Sequence, residues 1–245
     1  MDRLKDKRAL ITNGTSGIGL ATARRFIDEG ARTHVTGTVA DAVEKLRREL
    51  GPHGCAWCLD ASIAADQQRL AERVADDCGG LDVLFVNLAA VRLAPLNTWD
   101  EAAFDHEIAA NVRGPFFLLR TLLPLLRRPS SVVINTTFGG HTGMPYASVF
   151  AAGRAALMAL ARSLAVELIG QGIRINMLSP GLVAMPAAPN DRAHDAARAS
   201  IAAQVPARRL GEPLEIADAV VYLACDESMY AVGTELVVDG GLAAA

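Results

Sequence analysis

Apolar residues in this chain fall into short continuous runs, and the stretches between them carry helical spacing. The runs lie at 8–12, 32–36, 56–59, 83–87, 131–135, 174–178 and 235–238. Most carry three or four apolar residues, the pattern of strands covered by helices on both faces. Helix-like stretches separate them at 17–29, 41–50, 66–78, 104–128, 151–169 and 214–224. Strand and helix alternating this often predict a single doubly wound, Rossmann-like α/β domain over residues 1–245, with about seven parallel strands. No linker, low-complexity tail or internal repeat interrupts it. One composition shift stands out, at 184–208, rich in Ala and punctuated by Pro186, Pro189 and Pro206. It breaks the rhythm and reads as an excursion beside a site, a substrate lid.

Composition narrows the function classes. Over 245 residues the hydrophobic share is 51% and the charged share 21%, enough for a large core and against disorder. With 27 acidic and 24 basic residues the net charge is −3, so no basic surplus is offered to nucleic acid or an anionic membrane. The start, MDRLKDKRAL, is charged and lacks the apolar core of a secretory signal. The apolar stretch 116–126 is short and broken by Arg120 and Pro124. The expectation is a soluble, cytoplasmic protein. Cys55 and Cys58 form a CxxC, but no second pair follows, and Cys78 and Cys225 stand alone. That segment reads as a buried strand, and no metal site is expected.

The candidate chemistry begins between the first strand and the first long helix. Residues 12–19 read TNGTSGIG, a glycine-rich turn at a helix N-terminus. Free backbone N–H groups and the helix dipole favour a pyrophosphate there. After the first strand of an alternating chain, that position points to nucleotide binding.

On these residues the chain resembles the short-chain dehydrogenase/reductase family, and the likeness runs through nearly all of it. The family's loop reads TGxxxGxG, with Asn13 here in place of the first glycine; Asn tolerates left-handed backbone well. Further matches are Asp60 after the third strand, NLAA at 87–90, Asn111 in NVRG, SPG at 179–181 and Gly233 with VDGG at 238–241. The resemblance implies that Asn13, Thr15, Ser16, Gly17, Ile18 and Gly19 hold the pyrophosphate, and that Asp60 and Ala61 lie near the adenine. It also implies that Asn87, Ala89, Arg154, Pro180, Gly181 and Val183 line the rest of a nicotinamide dinucleotide site. Members that prefer NAD end the second strand with an acidic residue. Here Gly37 and Thr38 stand there, with no carboxylate to repel a 2′-phosphate, which favours NADP(H) over NAD(H).

The family's catalytic set is Ser, Tyr and Lys (YxxxK), aided by Asn. Aligning FAAGRAAL at 150–157 on YxxxKAAL places Phe150 at the Tyr and Arg154 at the Lys position. Thr137 then falls at the Ser position, and Asn111 completes the four. Thr137 keeps a hydroxyl, and Arg154 keeps a cation but releases no proton near neutrality. Phe150 has no proton to exchange, where a positioned acid is worth roughly 10²–10⁴ in rate. A shifted register through Tyr146 fails, since its partners would be Phe150 and Val133. Tyr146 and His141 lie in a segment that borders the substrate pocket and are substitute proton donors. Met185, Leu88 and Ala90 also depart from the family's pattern, so the nicotinamide end is the altered one.

The reading that follows is an NADP(H)-dependent oxidoreductase for a small carbonyl or alcohol, with an altered and impaired site. Two alternatives stay open: a nucleotide-binding homologue without catalysis, acting as a sensor or partner subunit, and non-redox lyase or isomerase chemistry on the same scaffold. The resemblance further implies a homo-oligomer, tetramer or dimer, through the helices at 104–128 and 151–169.

Overall fold

Strands that carry apolar residues on both faces need cover on both faces. The computed structural model of the chain, which describes residues 2–87, 91–136, 143–184 and 199–244, has that cover. Seven strands, β1 (Arg8–Ile11), β2 (Arg32–Gly37), β3 (Gly54–Cys58), β4 (Leu81–Val86), β5 (Leu126–Asn135), β6 (Ile173–Pro180) and β7 (Glu235–Val238), form one sheet. Every pairing is parallel, in the order β3-β2-β1-β4-β5-β6-β7. The helices described are α1 (Gly17–Asp28), α2 (Ala40–Leu50), α3 (Ala64–Cys78), α4 (Glu101–Ile108), α5 (Gly114–Leu122), α6 (Ser148–Ile169) and α7 (Pro213–Ala224).

Alternate strand residues feed two cores. Leu10, Leu84, Val86, Val132, Ile134 and Met177 pack with α3, α5 and α6 on one face. Ala9, Ile11, Val83, Phe85, Val133 and Leu178 pack with α1, α2 and α7 on the other. Each fully buried Leu, Ile, Val or Phe contributes about 1.5–3 kcal/mol, so both faces stabilise the sheet. Helix α6 is long and apolar enough to cross a membrane by length and composition. Here its buried side, including Leu157, Ala161, Ala165 and Leu168, belongs to the core.

Two expectations need correction. The single helix expected over 104–128 begins at Glu101 and is broken into α4, a π-helical turn at Ala109–Arg113, and α5. Pro115 has no N–H to donate to the carbonyl of Asn111, so the ordinary four-residue ladder cannot continue through Asn111. After the 3-10 turn Leu123–Leu125 the chain is already strand: Leu126 pairs with Leu81, so residues 126–128 are strand and not helix. The CxxC does lie on a strand, β3, but it is only partly buried: Cys55 is intermediate and Cys58 exposed, both as free thiols. Three residues apart on a strand, the two side chains project to opposite faces.

Between β1 and β4 the order of connection reverses, because β1 leads outward to β2 and β4 leads to β5. In open α/β sheets the crevice beyond the carboxyl ends of the strands at that reversal is where ligands bind.

Candidate functional site

The loop from Thr12 to Ser16 leaves β1 at this reversal and enters α1. Asn13 takes φ 47° and Gly17 φ 50°, both left-handed. An amide side chain tolerates that region, which is how Asn13 stands where a glycine is usual. The loop is tied on both sides. Asn13 N donates to Thr36 Oγ1 at 3.2 Å, and Gly14 N to the Thr36 carbonyl at 2.8 Å. From β4, Asn87 Nδ2 donates to the Asn13 carbonyl at 3.0 Å. Thr12 Oγ1 donates to the Asn87 carbonyl at 3.1 Å and accepts from Asn87 N at 2.9 Å.

Glycine is required where α1 meets this loop. A Cβ on Gly19 would stand 2.5 Å from the Asn13 carbonyl oxygen and 2.8 Å from Asn87 Nδ2. Ser16 caps α1 without a side-chain hydrogen bond, and the first turn has no acidic residue. The first-turn N–H groups and the positive end of the helix dipole therefore face the crevice without a carboxylate to neutralise them. The residues fit a pyrophosphate.

On the β2–β3 side the crevice widens into a cavity of about 320 Å³, lined by Thr36, Gly37, Thr38, Asp60, Ala61 and Ser62 among others. Asp60 Oδ1 accepts from Ser62 N at 2.9 Å and Ser62 Oγ at 2.6 Å, which fixes the carboxylate at the rim. Gly37 sits against Thr15: any Cβ there would collide with the Thr15 side chain. The missing acidic residue at the end of β2 thus matches a side chain already filling its space.

On the β5–β6 side a polar chain continues from the loop. Asn135 Nδ2 donates to Asn87 Oδ1 at 2.8 Å, and Arg154 Nη1 donates to the Asn135 carbonyl at 3.2 Å. Arg154 is 3% exposed, and its guanidinium lies over the Phe150 ring at 5.0 Å. Burial pushes its pKa down to about 10, while the charge of Glu107 acts in the opposite direction. Asn111 is fully buried in the π turn; its Nδ2 donates to the Glu107 carbonyl at 3.0 Å and to Glu107 Oε1 at 2.8 Å. A Cβ on Gly153 would lie 3.2 Å from Asn111 Cβ, which packs α6 against this turn.

The positions assigned from sequence thus separate into three groups. Asn13, Thr15, Ser16, Gly17, Ile18 and Gly19 form the loop and the start of α1, Thr38, Asp60 and Ala61 line the cavity, and Asn87 joins loop to β4. Phe150 and Arg154 share α6, both buried, and Asn111 in the π turn packs against Gly153 of the same helix. Pro180 ends β6, and Gly181 and Val183 follow it: Gly181 N donates to the Val238 carbonyl at 2.9 Å, and Val183 bridges to Gly211. Tyr146 is 62% exposed with φ 67° and is not packed into the buried group. Thr137, His141, Ala89, Leu88, Ala90, Met185 and most of the expected lid at 184–208 lie outside the described residues.

Sequence reasoning missed Glu107 and Asn135. Asn135 ends β5 and looks like any polar strand terminus. Glu107 had a signal: it stands four residues before Asn111, one helical turn away on the same face.

Comparison with known proteins agrees with this geometry. The family described as enoyl-(acyl carrier protein) reductase matches residues 13–243. The chain is 35% identical over 245 residues to oxidoreductase asL5 of Sarocladium schorii, covering 99% of this chain and 98% of that one. It is 31% identical over 246 residues to the 3-oxoacyl-(acyl-carrier-protein) reductase FabG of Thermotoga maritima, covering 98% and 99%. L-sorbose reductase of Gluconobacter frateurii, solved with NADPH and L-sorbose, superposes over 100% of both chains with a TM-score of 0.94 at 26% identity. The loop at the sheet's reversal, the seven-stranded order and these full-length likenesses agree, and the chain belongs to the short-chain dehydrogenase/reductase family of oxidoreductases.

Proposed function

We propose that the protein is an NADP(H)-dependent oxidoreductase acting on a small carbonyl or alcohol, with an altered site for proton transfer. The observation that carries this reading is the intact loop with its uncapped helix start, tied through Asn87 and Asn135 to Arg154. The cavity on the β2–β3 side suits the adenosine half of a dinucleotide. With the loop at α1 holding the pyrophosphate, Arg154 beyond the ends of β4 and β5 would be the residue to hold the nicotinamide half. The preference for the 2′-phosphate rests on Gly37 and Thr38, with Thr15 filling the place of an acidic side chain. The L-sorbose reductase solved with NADPH supports the same choice.

A bound NADPH supplies the hydride, and the remaining tasks belong to the chain. Loop N–H groups hold the pyrophosphate, the Thr38 hydroxyl takes the 2′-phosphate, and Arg154 holds the nicotinamide ribose. Thr137 orients the reacting oxygen through its hydroxyl. Phe150 shields the site from that side but moves no proton, so the proton for the product alcohol comes from water or from Tyr146 on the open side. That assignment makes turnover slow. The specific observation favouring binding without turnover is the same buried Phe150, 4% exposed. Assembly into a homo-oligomer through α5 and α6 is part of the proposal; Phe116 is 37% and Val166 77% exposed on these helices.

A turnover screen with NADPH and a panel of carbonyl compounds separates the two readings. It is run on the parent and on the double variant Phe150→Tyr with Arg154→Lys. The expected result is measurable parent activity that rises in the double variant, toward the roughly 10²–10⁴ of a positioned acid. Nucleotide binding with no turnover in either protein would exclude the oxidoreductase reading.

A further inference from the structure

The segment from Val91 to Trp99 comes from the carboxyl end of β4 and leads into α4, on the crevice side of the sheet. Val91, Leu93 and Leu96 are each half exposed or more, and so is Tyr146 just before α6. Single exposed apolar side chains need no explanation, but several in one short segment beside a site mark a surface that an apolar ligand covers. The segment is held in a fixed shape. Trp99 Nε1 donates to the Ala94 carbonyl at 3.1 Å, and Ala94 N donates to the Tyr146 carbonyl at 2.8 Å. Arg92 N donates at 3.4 Å to Glu107 Oε1, the oxygen that also accepts from Asn111 Nδ2. Among these apolar groups stands one cation. The exposed Arg92 lays its guanidinium 4.7 Å from the centre of the Trp99 ring. Cation–π attraction steadies it there. No carboxylate among the described residues pairs with that guanidinium.

We propose that this segment is the substrate rim, and that the substrate is an aliphatic carbonyl compound carrying a carboxylate, or the matching hydroxy acid. Val91, Leu93, Leu96 and Tyr146 cover the carbon chain, and Arg92 takes the carboxylate. The inference deepens the reading above, in which the site acts on a small carbonyl or alcohol, and rests on it. A guanidinium presents a planar fork of donors that meets a carboxylate through two parallel hydrogen bonds. The Trp99 face already fixes the orientation of that fork, so less freedom is lost on binding. The apolar rim favours longer chains over shorter ones, because each covered methylene leaves water. Arg92 is the specificity-determining residue, and the rim sets the length.

The test is calorimetric titration of the full-length chain, saturated with NADP⁺ so that no turnover occurs. The ligands are oxobutanoates, oxohexanoates and oxooctanoates that differ in carbonyl position, each with its methyl ester. The best-bound acid is expected to bind at least about fivefold more tightly than its ester, the scale of a partly exposed charge-assisted pair. Acid and ester alike should tighten by about twofold for each added methylene, part of the value for full burial. Arg92→Gln is expected to erase the difference between acid and ester while leaving the ester's constant in place, and Arg92→Lys to keep part of it. A purely structural role for Arg92 would weaken both ligands together. That result overturns the inference, as do equal binding of acid and ester by the parent and no binding of either. Acid preference without turnover when NADPH replaces NADP⁺ would support the rim and remove the oxidoreductase reading. If the chain binds no nucleotide, the same acid and ester titrations on the chain alone decide the inference, and only the nucleotide reading falls.

Discussion

His34 lies in β2 with both ring nitrogens buried and without hydrogen-bond partners, stacked on Trp57 at 5.1 Å. Burial, helped by the charge of Arg32, pushes its pKa from the ordinary 6.5 down to about 4, while Asp77 acts weakly the other way. The folded state therefore holds this histidine neutral over a range where the unfolded chain protonates it. Stability from this site is fully present above pH 6.5 and is lost as pH falls toward 4, by about 3 kcal/mol at most. His34→Phe keeps an aromatic ring against Trp57 and removes the titration. Urea unfolding at pH 7 and pH 4 should show a smaller acid loss in the variant than in the parent, and an equal loss would place the acid sensitivity elsewhere. The same burial argument governs Arg154 with the opposite compensation, since Glu107 supports the charged form there.

The loop and α1 act together as one element, and Gly19 is where they touch. Gly19→Ala places a methyl 2.5 Å from the Asn13 carbonyl, so loop or helix must move. The variant should lose about 1–3 kcal/mol in thermal or urea unfolding and at least about tenfold in nucleotide affinity. Unchanged affinity would mean that the loop does not hold the ligand. At this scale much was legible in the sequence. Strand centres were readable because most of them carry several apolar residues in a row, and the loop was readable because its glycines are spaced around a turn. Ends were less so: 126–128 look helical by continuity with 116–125, and only the pairing of Leu126 with Leu81 makes them strand. The π turn needs tertiary packing to explain it, although Pro115 marked the place. Glu107 was missed because a lone acidic residue on a helix usually faces water, and only the packing of α4 against α6 buries it.

Across the whole molecule, the sheet brings one polar line together from five separate segments. It runs from Thr36 through Asn13, Asn87 and Asn135 to Arg154, across the carboxyl ends of β2, β1, β4 and β5 to the start of α6. The fold's own connectivity places these side chains, and no single segment of sequence shows them as a set. On the proposed reading the loop end would hold the dinucleotide, and Phe150 and Arg154 stand at the other end where the family resemblance leads one to expect Tyr and Lys. Binding should therefore survive where the usual proton transfer has not. Isothermal titration calorimetry of the purified chain with NADPH, NADP⁺, NADH and NAD⁺ tests this most directly. The account predicts saturable binding of the NADP pair, tighter than that of the NAD pair; equal or tighter binding of the NAD pair would contradict the preference, and no binding of any of the four would contradict the site itself.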